Sequence, residues 1–149
     1  MRQGVLFVVM ICIANYLLAQ SVQFSGKQIS LPTYSYSDPN PVPEFGNFYP
    51  YFRFDGYTDT KVDHSWKMIE LENEYIKLWI APEIGGKIWG AVEKKTGKEF
   101  VYFNHAVKFR DVAMRGPWTS GGIELNFGVI GHAPTCSAPV DYFVRTNNN

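Results

Sequence analysis

The stretch that decides the fold is residues 75–92, which read YIKLWIAPEIGGKIWGAV. Both ends of this stretch are rich in the β-branched and aromatic residues that strands favour. Pro82 ends the first run, and the Gly85-Gly86 pair supplies a bend that glycine adopts at low steric cost. The pattern therefore predicts two strands joined by a short turn.

Further strands are predicted on both sides of this pair. Residues 66–71 are of the strand type, and the turn-forming residues 72–74 join them to the strand that follows. Downstream, a turn at residues 94–97 leads to a returning strand at residues 99–103. Four short strands with tight turns and no convincing helical pattern predict an antiparallel all-β fold.

The last third of the chain contains many glycines. Residues 115–122 read RGPWTSGG and are predicted to form a loop, as are residues 128–135. Between them, residues 123–127 alternate strictly, with apolar side chains on one face and Glu124 and Asn126 on the other. This alternation predicts a strand whose apolar face is turned toward the core.

Residues 1–19 are predicted to be a secretory signal peptide. Arg2 supplies a short positive region, the run from Val5 to Ala19 has no charge, and cleavage is expected near Ala19. The run is shorter than the roughly 20 apolar residues of a membrane-spanning helix, and Asn15 interrupts it. An uncleaved anchor is the alternative. We therefore expect a secreted or periplasmic protein with no membrane span after cleavage.

Two segments separate the signal peptide from the predicted strands. Residues 20–47 are rich in Ser, Pro and Tyr, a composition that suppresses helix, so we expect an extended leader on the domain surface or linking it to another part. Residues 48–57 are an aromatic tract. The expected organisation is the signal peptide at residues 1–19, the leader at residues 20–47, and a β-rich domain at residues 48–149.

Composition excludes several classes of function. The 149 residues carry 14 basic and 14 acidic side chains, which argues against nucleic-acid binding because such proteins carry a basic surface. Aromatic residues make up 16%, which suits sugar recognition as well as burial. No spacing fits a metal site or a phosphate-binding loop, so we expect no metal and no cofactor. Signal cleavage removes Cys12, and Cys136 is expected to be a small buried residue.

Trp118, Glu124, Asn126 and His132 form the sharpest candidate site. A carboxylate, an amide and an imidazole beside an indole can hydrogen-bond hydroxyl groups and stack on a sugar ring. His132 and Glu124 are the candidate catalytic residues, and Trp118 and Asn126 are candidate substrate-binding residues. The alternative is a solvated strand face, because polar residues normally occupy the outward side of such a strand.

Arg110, Asp111 and Arg115 form a second polar group. Arg110 and Arg115 are candidate substrate-binding residues, since a guanidinium group can bind a carboxylate or sugar hydroxyls. The alternative is a surface cluster worth under about 1 kcal/mol. Ser120 lies in a TSGG run, but a glycine-flanked serine without a positioned base is expected to be a turn residue.

Several motifs carry a resemblance to known families. The run APEIGGKIWG at residues 81–90, followed by TGKEFVYFN at residues 96–104, resembles the opening of galactose-mutarotase-like domains. More closely, the region from Tyr49 to Tyr142 resembles a domain of unknown function in secreted proteins of Bacteroidetes-type bacteria. Its motifs stand here as YPY at 49–51, the run 107–122 with its MRGPWTSGG segment, ELNFG at 124–128 and GHAPT at 131–135.

The resemblance implies a β-supersandwich that handles carbohydrate and is often followed by tetratricopeptide repeats. In the related epimerases a histidine acts as general acid and a glutamate as general base, and His132 is the candidate for the histidine. The epimerase base lies late in the domain, so Glu124 does not inherit that role. A closed supersandwich needs more residues than this chain supplies, so the resemblance implies that residues 48–149 are the N-terminal part of an antiparallel β-sandwich domain that is incomplete here.

Three interpretations of function are open at this point. The first is a carbohydrate-engaging domain of a glycan-processing enzyme, either a hydrolase or an epimerase. The second is a non-catalytic carbohydrate-binding module, which the aromatic content suits equally well. The third is a truncated, non-functional part of a longer protein, whose missing half would leave sheet edges open.

Overall fold

The computed structural model describes residues 21–37, 56–111, 117–126, 132 and 136–146. Within these ranges there are β-strands and no helix, which confirms the all-β prediction. None of these ranges contains a helix long and apolar enough to cross a membrane. The strands are β1 (Gln23–Tyr34), β2 (Val62–Glu72), β3 (Ile76–Ala81), β4 (Lys87–Glu93), β5 (Glu99–Val101), β6 (Val107–Asp111) and β7 (Pro117–Thr119).

These strands form one mixed, 7-stranded sheet in the order β5-β4-β3-β2-β1-β6-β7. Neighbouring strands are antiparallel except for β1 and β6, where Thr33 lies opposite Val107 and Tyr34 opposite Lys108 in a parallel pair. The prediction of a purely antiparallel sheet is therefore wrong at this pair. Tight turns impose antiparallel pairing, whereas β2 to β5 lie between β1 and β6 in the chain, and so long a connection permits parallel pairing.

β1 lies in the interior of the sheet, between β2 and β6. It pairs along all of β2, from Gln23 opposite Glu72 to Thr33 opposite Val62. It also carries the parallel contact to β6. β1 therefore joins the run of hairpins formed by β2 to β5 to the β6–β7 pair.

The position of β1 corrects the interpretation of residues 20–47 as an extended leader. Residues 23–34 are extended, but they form a strand of the sheet rather than a surface segment or a linker. Leu31 and Thr33 are 5% and 3% exposed, and Ile29 packs against the same core. These alternate positions bury one face of β1, a pattern that the surrounding Ser and Pro residues obscured.

The strands and turns predicted around residues 75–92 are confirmed. Between β2 and β3, Asn73 Oδ1 accepts hydrogen bonds from the backbone N–H groups of Tyr75 and Ile76, at 2.8 and 2.9 Å. Between β3 and β4, Gly85 and Gly86 have φ angles of 68° and 67°, the left-handed conformation that a side chain would disfavour. The local sequence therefore determines these hairpins.

The main core includes two buried indoles whose N–H groups have acceptors. Trp66 Nε1 donates to Thr33 Oγ1, and Trp89 Nε1 donates to the backbone oxygen of Asn104, both at 2.9 Å. Burying an indole N–H without an acceptor would cost free energy, so these bonds fix how the rings pack. The buried members of the core are Leu31, Trp66, Met68, Ala81, Ile84, Trp89, Val107 and Phe109.

Two predictions for the last third of the chain are wrong. Residues 115–122 were expected to be a loop, but Pro117–Thr119 forms β7 and pairs with β6. Residues 123–127 were expected to be a strand, but Ile123 makes an isolated bridge to Ile88 and residues 124–126 are irregular. The cause is the turn made by the glycines at 121–122, which leaves a single residue in position to pair with β4.

Several predictions lie outside the described residues. These are the signal peptide at residues 1–19, residues 48–55 of the aromatic tract, Arg115, and residues 128–135 apart from His132. A second sheet is not found among the described strands. The sandwich and the galactose-mutarotase-like fold therefore stay predictions.

Candidate functional site

A turn of the chain after β7 brings Trp118 and Glu124 together. Trp118 lies in the middle of β7, and the glycines at 121–122 follow with φ angles of 81° and 70°. Ile123 then exchanges two backbone hydrogen bonds with Ile88 of β4, at 2.9 and 3.0 Å. This bridge holds the next residue, Glu124, beside β7.

The Glu124 carboxylate connects an indole and an imidazole. Trp118 Nε1 donates to Glu124 Oε2 at 2.8 Å, and His132 Nδ1 lies 2.9 Å from Glu124 Oε1. The two rings meet edge to face, with centroids 6.0 Å apart. The Glu124 side chain is 12% exposed and that of His132 is 43% exposed. The structure therefore brings together three of the four residues of the sharpest candidate site.

Asn126 is the fourth residue of that candidate site. It lies two positions beyond Glu124, and it is exposed. A strand would place its side chain on the same face as Glu124, but residues 124–126 do not form a strand. Its role in substrate binding stays a prediction.

His132 has an unusual backbone conformation. Its φ angle is 40°, in the left-handed region that non-glycine residues rarely adopt. Histidine is one of the side chains enriched there, and residues held in this region cluster at functional sites. The backbone and the bond to Glu124 together define where the imidazole stands.

A buried lysine, which the sequence analysis missed, completes the cluster. Lys87 is 1% exposed, and its Nζ donates to the backbone oxygen and Oγ1 of Thr119 at 2.7 and 3.1 Å. The same Nζ lies 3.9 Å from Glu124 Oε2 and 5.5 Å from the ring centroid of Trp118. Burial lowers the pKa of Lys87, and the charge of Glu124 acts in the opposite direction. The sequence feature that pointed to Lys87 was a charged residue at the start of an apolar strand.

Cys136 is buried beside β7. It is a free cysteine, 5% exposed, and its Sγ donates to the backbone oxygen of Pro117 at 3.6 Å. Burial raises the pKa of the thiol, so the neutral form is favoured. The prediction that Cys136 is a small buried residue is confirmed.

Arg110 stands beside Trp118 but is engaged elsewhere. The two residues are opposite each other in the β6–β7 pair, so their side chains leave the same face of the sheet. The guanidinium group pairs with Asp59 at 2.8 Å and lies 4.4 Å from the centroid of the Tyr57 ring. Asp59 is 84% exposed, and such surface pairs contribute at most about 1 kcal/mol. Arg110 is therefore at the margin of the site and its ion pair is easily exchanged.

Other chemistries find little support among the described residues. In that part of the chain, no group of three or more His, Cys, Asp or Glu side chains could hold a metal ion. The Ser120 hydroxyl oxygen lies 3.5 Å from Nδ2 of Asn104, an amide that cannot act as a base. The described groups at the site that can transfer a proton are His132, Glu124 and Lys87, and His132 is the most exposed of the three.

A second buried carboxylate lies in a different part of the sheet. Glu70 is bonded by Lys27 Nζ at 2.8 Å, Lys77 Nζ at 3.2 Å and Trp79 Nε1 at 2.8 Å. Burial raises the pKa of Glu70, but the bonds from Lys27, Trp79 and Lys77 outweigh that effect and lower it to about 2. Both carboxylate oxygens are occupied by groups of the sheet itself, so Glu70 is not a candidate site residue.

The fold and the cluster define an all-β domain in which a carboxylate holds two rings where β4 and β7, from opposite ends of the strand order, come together. The profile of the family described as "Domain of unknown function (DUF5107)" matches residues 43–149. The chain therefore belongs to this family. This agrees with the resemblance to a domain of unknown function, and it assigns no activity.

One solved structure is similar to this chain in sequence and fold. It is the crystal structure of a TPR-domain containing protein from Parabacteroides distasonis, with 30% sequence identity and a TM-score of 0.70. The match covers 81% of this chain but 21% of that protein. This chain therefore spans about a fifth of the length of that relative.

Proposed function

We propose that this domain binds carbohydrate, and that the site consists of Trp118, Glu124 and His132. One observation carries the proposal: the Glu124 carboxylate orients both rings while the imidazole is 43% exposed. Sugar sites pair an aromatic surface for the C–H face of the ring with polar groups for its hydroxyls. This cluster supplies both within one group of contacts.

The polar groups of the site have distinct roles in the proposal. With Nδ1 bonded to Glu124, the other imidazole nitrogen, Nε2, is the ring atom assigned to a sugar hydroxyl. Arg110 stands at the margin, beside Trp118, where its guanidinium can leave Asp59 for a ligand oxygen. Asn126 and Arg115 are assigned to substrate binding on the sequence alone.

A glycan-processing reaction is the second candidate function. The observation that favours it is the 2.9 Å pairing of an imidazole with a carboxylate, an arrangement that prepares a histidine for proton transfer. A glycosidase needs two carboxylates roughly 5 to 9.5 Å apart at the scissile bond. The described part of the site supplies Glu124 alone, so proton transfer of the epimerase kind fits it better than hydrolysis.

The test of carbohydrate binding uses the whole chain on a glycan array, followed by calorimetry with the best ligand. We expect Trp118→Ala and His132→Ala each to weaken binding about tenfold or more, because each removes one half of the recognition. Tyr75→Ala and His105→Ala are the matched controls, since Tyr75 lies at the β2–β3 turn and His105 stacks with Tyr102 and Phe103. Absence of glycan binding, or equal losses in the controls, would refute the proposal.

The same ligands separate binding from catalysis. Incubation with the wild-type chain, followed by NMR of the anomeric protons, shows whether any sugar is epimerised or cleaved. Turnover that His132→Ala abolishes would make this an enzyme domain. Binding without product would make it a carbohydrate-binding module.

We further propose that the chain is exported and belongs to a larger carbohydrate-handling protein. The predicted signal peptide at residues 1–19 supports export to the periplasm or the exterior. The similar Parabacteroides distasonis protein is a TPR-domain containing protein, which supports such a region elsewhere in the full protein. The sandwich with a galactose-mutarotase-like fold belongs to the same proposal. N-terminal sequencing of the secreted protein tests export, and a start near Gln20 is expected.

A further inference from the structure

We propose that Lys87 is a positioning residue, which holds the Glu124 carboxylate against Trp118 and His132 from the buried side of the site. This gives a role to a charged side chain that the proposed function does not use. Its relevance to a sugar rests on that proposed function. The positioning itself does not, and the experiment below measures it separately.

Hydrogen bonds to Thr119 hold the Lys87 ammonium group in place independently of Glu124. Thr119, itself 1% exposed, accepts two hydrogen bonds from Nζ through its backbone oxygen and Oγ1. Thr119 is the neighbour of Trp118 in β7, so the bond ties β4 to the strand that carries the indole. The anchored Nζ then lies over the Trp118 ring, at 5.5 Å from its centroid.

Three groups surround the Glu124 carboxylate, and each approaches a particular oxygen. Lys87 Nζ and Trp118 Nε1 approach Oε2, at 3.9 and 2.8 Å, while His132 Nδ1 meets Oε1 at 2.9 Å. The indole hydrogen bond and the ammonium charge both lie at Oε2, which leaves Oε1 directed at the imidazole. A lysine fixed at Oε2 therefore determines which carboxylate oxygen orients His132.

Charge balance explains why the lysine is needed. Glu124 is 12% exposed, and a carboxylate with so little water is costly unless a positive charge lies close to it. Among the described residues, the titratable groups that act on the Lys87 charge are Glu124 and the Cys136 thiol. Burial raises the pKa of that thiol and favours its neutral form, so Glu124 is the anion that balances Lys87.

The four indole N–H groups provide a direct measurement. Trp66 donates to Thr33 Oγ1, Trp79 to Glu70 Oε1, Trp89 to the backbone oxygen of Asn104, and Trp118 to Glu124 Oε2. Each therefore gives one indole signal in a ¹H–¹⁵N spectrum and reports one hydrogen bond. Trp118 reports the position of Glu124, and the other three report the integrity of the sheet and core.

The experiment compares Lys87→Met with the wild type in the whole chain. We expect the Trp118 indole signal to move, the other three signals to stay, and glycan affinity to fall about tenfold. Lys87→Gln is the second variant, because it removes the charge but keeps an N–H donor for Thr119. Lys94→Met is the matched control, since Lys94 pairs with Glu72 at an exposed turn and no indole signal should move.

Each outcome either supports or overturns the positioning role of Lys87. A folded Lys87→Met or Lys87→Gln chain whose Trp118 signal is unchanged overturns the proposal. If both variants lose all four signals, Lys87 is a folding residue, and the proposal is overturned as well. If the wild type binds no glycan but the Trp118 signal moves alone in the variants, the proposed function fails and the positioning role stands.

Discussion

At the scale of single residues, two buried charges show how this protein stabilises ionised groups. Glu70 is held by Lys27, Lys77 and the Trp79 indole, and Lys87 by Thr119 and Glu124. Removing one partner from such a group costs more than the pair contributes, because an uncompensated charge stays behind. Both clusters are therefore sensitive to substitution of either partner.

Glu70→Gln tests the first cluster through its pH dependence. The pKa of Glu70 is about 2 in the folded state, below the ordinary value of 4.5, so its ionisation stabilises the fold above pH 4.5. That stabilisation is lost as the pH falls from 4.5 toward 2. We expect the free energy of unfolding to fall more steeply over this range in the wild type than in Glu70→Gln, by urea unfolding followed with tryptophan fluorescence.

The control for this prediction is Glu74→Gln. Glu74 is exposed in the turn between β2 and β3, so its variant should follow the wild-type pH dependence. Parallel curves for the wild type and Glu70→Gln would show that the ion cluster does not contribute to stability.

Residue types alone predicted part of the site. Trp118, Glu124 and His132 could be grouped because their chemistry matches sugar recognition and they are close in sequence. Lys87 could not be included, since its partners Thr119 and Glu124 lie far along the chain and a lysine at a strand start is normally solvated. Burial of a charge depends on tertiary contacts, and local sequence does not encode them.

At the scale of elements, the bridge between Ile123 and Ile88 connects the fold to the site. Gly122 makes this bridge possible, because its φ angle is 70° and its Cα faces the Ile88 carbonyl. A Cβ at this position would collide with the Ile88 carbonyl oxygen. The backbone there cannot shift without moving β4, which also carries Lys87.

Gly122→Ala therefore separates steric collision from backbone strain. We expect a loss of about 2–4 kcal/mol in the free energy of unfolding, from the left-handed conformation together with the collision. Gly97→Ala is the matched control: its φ angle is 69°, but nothing lies within 4 Å of its added Cβ, so about 1 kcal/mol is expected. Chemical denaturation measures both, and equal losses would contradict the collision.

Hairpins and the parallel pair differ in how far sequence could predict them. Asn73 and the glycines at 85–86 act within a few residues of the strands they join, so β2, β3 and β4 could be predicted. The pairing of Thr33 with Val107 depends on two distant segments, and neither segment carries a local mark of the other. Long-range pairing is selected by the packing of the whole sheet.

At the scale of the whole molecule, the pattern of short strands and tight turns predicted an all-β domain, and the described residues form one. The sheet is mixed because residues 23–34 form an interior strand that pairs with β6 in parallel. Composition does not indicate that position. The chain matches 21% of a larger TPR-domain containing protein. Two large aromatic side chains, Phe100 and Tyr102, are 60% and 62% exposed in this chain.

Cys136 reports the opening of the whole molecule. Its thiol is 5% exposed, and burial raises its pKa, so both access and thiolate are limited in the folded state. We expect a thiol reagent to react at least about a hundredfold more slowly with Cys136 than with an exposed cysteine, and the rate to rise with urea as the chain unfolds.

The comparison uses Lys95→Cys in a Cys136→Ala background, with Cys12→Ser in both proteins. Lys95 is exposed in the turn between β4 and β5, so its cysteine variant gives the unprotected rate. Similar rates in the two folded proteins would show that the thiol is accessible without unfolding.

The interior position of β1 also sets a time course for folding. β2 ends at Glu72 and can pair with β1 soon after synthesis, but β6 begins at Val107, about 35 residues later. At a synthesis rate of roughly 5–20 residues per second, β6 is made on the order of 2–7 s after β2. The second edge of β1 is unpaired until then. During that interval the edge can pair with another nascent chain. The yield of folded protein should therefore depend on how fast the ribosome passes from residue 73 to residue 107.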